Sequence, residues 1–278
     1  MNMQTSKFQT IFYPDQVQKR ENVANKSIIL PSSLLVPHAS YEWIGEDLYS
    51  GYSLMDGCSC RLVVVLSALH QSVIKSEEGH LFFIPTGEGF SLGDRTIRYA
   101  EVLRNKITST FSLALQEDCY FSEEPSVELQ LPMIAAYFPT AAVLPILCSS
   151  SMDSKETKAL ALLLSFITEN EKNTLFVISG NASALGTAES ALEKTKALDL
   201  ALRDGGQLLE LRHQGRIDSC ATSIIEAMNR QPWNNGKWKI ASYSCLHDRF
   251  NKLPDTYAAD RKVVWHIVAT LEGESSNV

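Results

Sequence analysis

The chain has 278 residues, of which 45% are hydrophobic and 21% are charged, a composition that excludes collagen-like, disordered and coiled-coil chains. Its 32 acidic and 25 basic residues give a net charge of −7, which lacks the basic excess that nucleic-acid binding needs. No apolar run approaches the ~20 residues of a membrane span, and the first residues lack a signal-peptide pattern. We therefore expect a soluble, cytoplasmic protein with no nucleic-acid or membrane partner.

Taken in chain order, the first half of the sequence predicts alternating strands and helices. Apolar and β-branched runs predict strands at residues 27–36, 61–67 and 81–84. Helical spacing of apolar residues predicts helices at residues 46–55, 93–109 and 125–137.

The second half continues this alternation. It predicts strands at residues 142–148 and 173–179, and helices at 154–170, at 188–212 with a break at Gly205-Gly206, and at 218–229 with Asp218 or Ser219 as the cap. Residues 238–244 and 263–270 predict a closing antiparallel strand pair at one edge of the sheet. Asn235-Gly236, between Trp233 and Trp238, matches a tight hairpin turn.

Neither a repeat nor a long linker interrupts these elements. The pattern predicts one α/β domain over residues 1–278, with a core at about 11–270 and a central, mostly parallel sheet flanked by helices.

The cysteines predict free thiols. They contain no CxxC pair, and we interpret Cys58-Ser59-Cys60 as a turn before the next strand rather than as a zinc site. The six are Cys58, Cys60, Cys119, Cys148, Cys220 and Cys245.

Two histidines follow apolar strands. His38 comes after Ser33–Pro37, and His70 comes after Arg61–Leu69. Ligands of α/β proteins bind outside the carboxyl ends of the strands, so two imidazoles placed there can converge on one metal ion or one substrate. The alternative is that both rings only make hydrogen bonds to loop backbone. His80, His213, His247 and His266 follow no ligand spacing, and His266 is predicted to be a strand residue.

Five segments together resemble a known family. They are Phe12-Tyr13-Pro14, Val36–Tyr41 with Gly45, Leu66–His70, Pro85–Glu88 and Glu124–Pro132. In this order they resemble the FYP, VPHAGYxxSG, LGPSH, TPLGE and EHSIExxLP motifs of the Memo proteins. These proteins are known in prokaryotes as protein B of the AmmeMemoRadiSam system and look like relatives of the class III extradiol dioxygenases. The resemblance implies the Memo fold.

The resemblance also implies a metal or vestigial metal site made of two histidines and a later cysteine. His38 and His70 match the histidines, and Cys220 matches the cysteine approximately. Such a set of two nitrogens and one sulfur suits one transition-metal ion, namely iron, copper or zinc.

Several neighbours of that site depart from the family pattern. Pro125 stands where EHSIE has its histidine, and Asn181 and Ala184 stand where a DFSH segment has aspartate and histidine. General acid–base chemistry needs titratable groups such as these. Ser40 and Ser67 replace glycines and are expected to narrow the loops around the pocket.

The predicted pocket is formed by the loops after Val36, Leu66 and Ile178 and before Ser126. Glu124 and Glu128 are four residues apart, so on one helical face they could serve as a carboxylate ligand or base; the alternative is that they are acidic charges at a helix N-terminus. The residues expected to line the pocket are Ser40, Tyr41, Ser67, Glu124, Ser126, Glu128, Asn181 and Ser183.

Three functions remain open from the sequence. The favoured one is a divergent Memo-like protein with a degraded dioxygenase-type pocket, acting as a non-catalytic binding or accessory protein without an assigned catalytic residue. The alternative is a metal-dependent oxidoreductase or dioxygenase-like enzyme that uses His38, His70 and Cys220. The third, implied by the resemblance, is an accessory protein of a radical SAM enzyme. A homodimer could form on the closing strand pair.

Overall fold

The computed structural model describes residues 17–20, 31–70, 79–93, 95–150, 152–246, 248–257 and 261–273. The FYP motif at residues 12–14 and His247 lie outside this part of the chain. The strands of the described residues are β1 (Pro31–Val36), β2 (Leu62–Leu69), β3 (Phe82–Ile84), β4 (Gly89–Leu92), β5 (Arg95–Arg98), β6 (Ala114–Gln116), β7 (Ala142–Ser149), β8 (Thr174–Ser179), β9 (Gly186–Thr187), β10 (Asn234–Cys245), β11 (Asp248–Phe250), β12 (Lys262–Val263) and β13 (Trp265–Gly273).

Nine of these strands form one mixed sheet in the order β11-β10-β13-β1-β8-β2-β7-β3-β6. The four central strands, from β1 to β7 in that order, are parallel to one another. β2 is buried along its whole length, as expected of a strand covered on both faces. On either side of this centre, β13 and β3 pair antiparallel with their inner neighbours. The α/β fold class is confirmed, and the parallel part of the sheet is its centre.

Helices cover both faces of this sheet. In the described part of the chain they are α1 (Tyr41–Ser53), α2 (Glu101–Thr110), α3 (Cys119–Glu123), α4 (Leu131–Tyr137), α5 (Ser154–Asn170), α6 (Ala188–Asp204), α7 (Leu208–His213) and α8 (Thr222–Asn229). One apolar core lies between one face of the sheet and the helices α2, α5, α6, α7 and α8. A second core lies between the other face and the helices α1, α3 and α4. No helix among the described residues has both the length and the apolar character needed to cross a membrane.

One predicted helix start and one predicted turn are wrong. The helix predicted at residues 93–109 begins only at Glu101, because Gly93, at φ 58°, ends β4 and residues 95–98 form β5. The Asn235-Gly236 hairpin is also absent, because residues 234–245 form a single strand along β13. Gly236, at φ 68°, lies at a shift of that register, where one type of bulge uses the same left-handed glycine conformation as a hairpin turn.

Other boundaries shift for local reasons. α1 begins at Tyr41 rather than at residue 46, because the Ser40 hydroxyl accepts a hydrogen bond from the Glu42 N–H and caps the helix. α8 begins at Thr222, and neither Asp218 nor Ser219 is its cap, so Cys220 lies in a loop. The helix predicted at residues 125–137 is a turn, a 3₁₀ segment at Glu128–Gln130 and the short α4.

Three further predictions are confirmed. The break after α6 is real, with Gly205 in the left-handed conformation that ends a helix. The closing strands pair antiparallel as β10 and β13, and only β11 lies outside them in the sheet order. All six cysteines are free.

Candidate metal centre

The carboxyl ends of neighbouring strands bring three side chains together. β1 and β2 lie on either side of β8, so His38 and His70, which follow them, meet across its end with ring centroids 4.9 Å apart. Cys220, from the loop between α7 and α8, places its Sγ 3.7 Å from His38 Nε2. One nitrogen of each ring and the cysteine sulfur lie within 4.8 Å of one another.

The Nδ1 atom of His38 is held by a serine hydroxyl. It lies 3.2 Å from Ser179 Oγ, and this hydroxyl donates its own hydrogen to the Ser126 carbonyl, 2.7 Å away. Because a hydroxyl has a single hydrogen to donate, Ser179 Oγ accepts from His38, and the imidazole carries its proton on Nδ1. His38 Nε2 is therefore directed to Cys220, with a lone pair when the ring is neutral and with an N–H when the ring is charged.

Asn181 fixes the backbone of His38 from the neighbouring strand end. Its Oδ1 accepts from the His38 N–H and its Nδ2 donates to the His38 carbonyl, both at 3.2 Å. An ionised aspartate, the residue implied here by the family resemblance, accepts hydrogen bonds but cannot donate the second one. Asn181 therefore joins the loops that follow β1 and β8 by two hydrogen bonds.

A buried carboxylate orients His70. Glu124, only 4% exposed, places Oε2 2.9 Å from His70 Nδ1 and 2.8 Å from the His70 backbone N–H. Its Oε1 accepts from the Ser126 N–H at 3.1 Å. Burial would raise the pKa of Glu124, but the hydrogen bond and charge of His70 hold it below its usual value. Since a carboxylate only accepts, His70 carries a proton on Nδ1, and its Nε2 is the nitrogen that could bind a metal.

Cys220 has the properties of a thiolate. Burial alone would raise the pKa of this thiol, but the charge and hydrogen bond of His38, together with those of His70, lower it to about 5. In return, the hydrogen bonds with Cys220 and Glu124 raise the pKa of His70 to about 10. Without a metal ion, these shifts favour a thiolate beside a charged imidazole.

The loop that carries Cys220 is attached to the loop after β8. The Asn181 N–H donates to Cys220 Sγ at 3.3 Å, and Ser219 Oγ donates to the Asn181 carbonyl at 2.7 Å. A Cβ on Gly180 would lie 2.4 Å from the Cβ of Ala221, so only glycine permits this approach.

The three side chains could hold a metal ion. Zinc–nitrogen and zinc–sulfur bonds of ~2.1 and ~2.3 Å in a tetrahedral site put the two ligand atoms ~3.6 Å apart, close to the 3.7 Å between His38 Nε2 and Cys220 Sγ. The Nδ1–H group of each imidazole also donates a hydrogen bond to an oxygen, of Ser179 or of Glu124. Metal-bound histidines usually have such a partner on their other nitrogen. His70 is 40% exposed, so the cluster is open to solvent on its side.

Of the remaining residues predicted to line the pocket, Ser126 and Ser67 bond to the residues that hold the histidines. The Ser126 carbonyl accepts from Ser179 Oγ, and the Ser126 N–H donates to Glu124 Oε1. Ser67 Oγ donates to the Ser179 carbonyl at 2.9 Å, and Ser183 Oγ accepts from the Trp265 N–H at 3.0 Å. The others are Ser40, which caps α1, Tyr41, whose hydroxyl donates to the Leu129 carbonyl at 2.8 Å, and Glu128, which is buried.

Two residues of the site were missed by the sequence reasoning. Ser179 contacts His38, and Gln130 Nε2 donates both to Ser179 Oγ and to the Pro37 carbonyl at 3.0 Å. Ser179 ends the most apolar strand of the second half, so the rule that identified the histidines also applied to it. Gln130 had no such signal, because its role depends on the packing of the 3₁₀ segment under the strand ends.

This is an α/β protein with a mixed sheet and a His-His-Cys cluster at the carboxyl ends of its parallel strands. The sequence profile of the Memo-like protein family matches residues 11–204, and the chain belongs to this family. The matched region contains both histidines, whereas Cys220 lies beyond it. A search of curated proteins finds no match to the chain.

Proposed function

We propose that this protein binds one transition-metal ion through His38, His70 and Cys220 and acts as a binding or accessory protein rather than as an oxygenase. The observation that carries the proposal is the convergence of one nitrogen of each ring and the cysteine sulfur within 4.8 Å of one another. Ser179 and Glu124 lie against the two Nδ1 atoms, so each Nε2 is the nitrogen left for an ion, which would displace the Nε2 proton of the charged His70 ring on binding.

The donor set favours iron, copper or zinc over magnesium or calcium, because thiolate and imidazole are soft or intermediate ligands. When bound, such an ion would supply Lewis acidity or redox chemistry to a ligand in its open coordination position. The chain itself holds the two rings in place, keeps the thiol deprotonated and leaves the His70 side open to solvent.

The non-catalytic part of the proposal is supported by the replacement of the acid–base groups that an oxygenase is expected to have. Asn181 does not titrate, and both ends of its amide are used on the His38 backbone. Pro125 and Ala184 offer no side chain for proton transfer. Glu124, the carboxylate at the cluster, already accepts three hydrogen bonds.

The exposure of His70 favours a second candidate, a metal-dependent oxidoreductase, because a substrate could reach the ion there. Oxygen consumption by the metal-loaded protein with catechol as the probe separates the two functions. The binding function predicts no turnover above that of the Cys220→Ser variant. Partnership with a radical SAM enzyme, implied by the family resemblance, stays a prediction that co-purification would test.

Metal analysis tests the binding function directly. We expect about one equivalent of iron, copper or zinc per chain after purification without chelator or after reloading, and a loss of it in His70→Gln and Cys220→Ser. His213→Gln and Cys119→Ser, which change exposed residues of the same types, serve as matched controls. Equal metal content in Cys220→Ser and Cys119→Ser would overturn the proposed site, as would failure of the wild type to retain any of the three metals.

A further inference from the structure

A second concave site lies away from the metal cluster. It is a cleft of about 730 Å³ between the first turns of α5, helix α7 and the end of α8, and its volume is in the range of small-molecule sites. His38, His70 and Cys220 do not line it. Its lining includes basic side chains from all three elements, notably Lys158, Arg212 and Arg230.

Arg212 is the central cation of this cleft. Its Nη1 donates to Ser223 Oγ at 2.8 Å, and its Nη2 donates to the Met152 carbonyl. Both partners are neutral, and no carboxylate in the described part of the chain pairs with this guanidinium. Burial lowers the pKa of Arg212. A guanidinium has five N–H donors, so its charge and several donors remain for a ligand.

The carboxylates of the cleft have other roles. Asp153 caps the N-terminus of α5 by accepting from the Lys155 and Glu156 N–H groups. Glu226 accepts from the Leu208 N–H at 2.9 Å and pairs with Arg230 at 3.0 Å. These contacts neutralise Arg230 and leave Arg212 without a counter-ion.

The rim of the cleft adds further groups. Lys158 and His213 are exposed on it and have no hydrogen-bond or ion-pair partner among the described residues. Glu210 is also at the rim, where it accepts from Gln214 Nε2 at 2.7 Å, and water screens its charge. The groups left for a ligand are therefore one half-buried guanidinium, one ammonium and one imidazole.

We propose that this cleft binds a small phosphate- or carboxylate-bearing metabolite through Arg212 and Lys158. Arg212 presents its planar donors to the oxyanion, and Lys158 adds a mobile point charge from α5. The oxyanion supplies the counter-charge that Arg212 lacks. This proposal is independent of the metal, because the two sites share no side chain.

Calorimetric titration of the full chain with inorganic phosphate, and separately with succinate, tests the proposal at constant ionic strength. We expect saturable 1:1 binding of at least one of the two, and the pair of probes separates phosphate from carboxylate recognition. Lys158→Gln should weaken binding about tenfold, the usual effect of one charge-assisted hydrogen bond. Lys155→Gln, on the same helix but outside the cleft lining, should bind like the wild type.

Arg212→Lys is the second variant, because it keeps the positive charge while it removes the planar fork. We expect binding at least tenfold weaker, and circular dichroism checks that the variant is folded. The proposal is overturned if the wild type binds neither probe saturably at up to tens of millimolar, or if Lys158→Gln and Lys155→Gln bind equally well.

Discussion

Replacement of Glu124 by glutamine should weaken metal binding without removing any ligand. Glu124 receives three hydrogen bonds, two from His70 and one from Ser126, and all three partners are donors. Glutamine has one oxygen and one NH₂ group. If its oxygen stays on His70, its NH₂ faces the Ser126 N–H, and this donor loses its acceptor.

The magnitude follows from these contacts. Loss of the negative charge behind a metal-bound imidazole typically lowers metal affinity 10- to 100-fold, which is ~1.4–2.7 kcal/mol. The unpaired Ser126 N–H is buried, and one such group costs ~1–3 kcal/mol of unfolding free energy. Both effects should appear together, because one carboxylate performs both tasks.

Competition with a chromophoric chelator measures the metal affinity, and urea denaturation of the metal-free protein measures the stability. Glu169→Gln, a change at an exposed position of α5, is the matched control and should alter neither quantity. An unchanged metal affinity in Glu124→Gln would refute the role of Glu124 in orienting His70.

Two more predictions concern the fold around the site. Gly180→Ala should lower the free energy of unfolding by ~1–3 kcal/mol and weaken metal binding, because its Cβ would lie 2.4 Å from the Cβ of Ala221. Gly186→Ala, whose nearest contacts are at 3.9 Å, is the control and should change neither quantity in the same urea and chelator assays. Burial, with the charges of His38 and Arg249, lowers the pKa of His266 to about 3, so its contribution to stability is present above pH ~6.5 and is lost as pH falls. Urea denaturation should show ~2 kcal/mol of this loss between pH 7 and 5, and a variant His266→Gln with the same pH dependence would contradict it.

The histidines of the site were predictable from the sequence because their position depends on a general property of α/β sheets. Parallel strands place their carboxyl ends at one edge, so residues that follow two such strands are candidates for contact. His38 and His70 meet in this way across β8. His266 was also predicted correctly as a strand residue, and its Nδ1 lies 3.1 Å from Ser244 Oγ.

The other half of the site could not be predicted with the same certainty. Cys220 reaches the histidines only through the loop between α7 and α8, whose path depends on the contacts of Asn181 and Ser219. Glu124 left two roles open, because its sequence spacing to Glu128 fits a charged helix end as well as a ligand. The tertiary structure adds a third role, because Glu124 accepts hydrogen bonds from the ring and the backbone of His70.

The predictions from apolar patterns were wrong at two left-handed glycines, because this conformation occurs in more than one kind of local structure. Gly93 terminates β4 in a tight turn, and Gly236 lies at an irregularity of β10. In the sequence, the first was interpreted as the start of a helix and the second as a hairpin. Local propensity identifies the unusual backbone angle, and long-range strand pairing determines which structure contains it.

The three sulfur and nitrogen donors come from residues 38, 70 and 220, which are far apart in the sequence and adjacent only when the sheet is assembled. The unfolded chain therefore has no comparable binding site, and any ion held by the cluster binds the native state selectively and raises its stability by mass action. Such an ion acts as a reversible cross-link between the first strands and the loop before α8. Its release during denaturation would report the loss of the whole topology rather than of one loop.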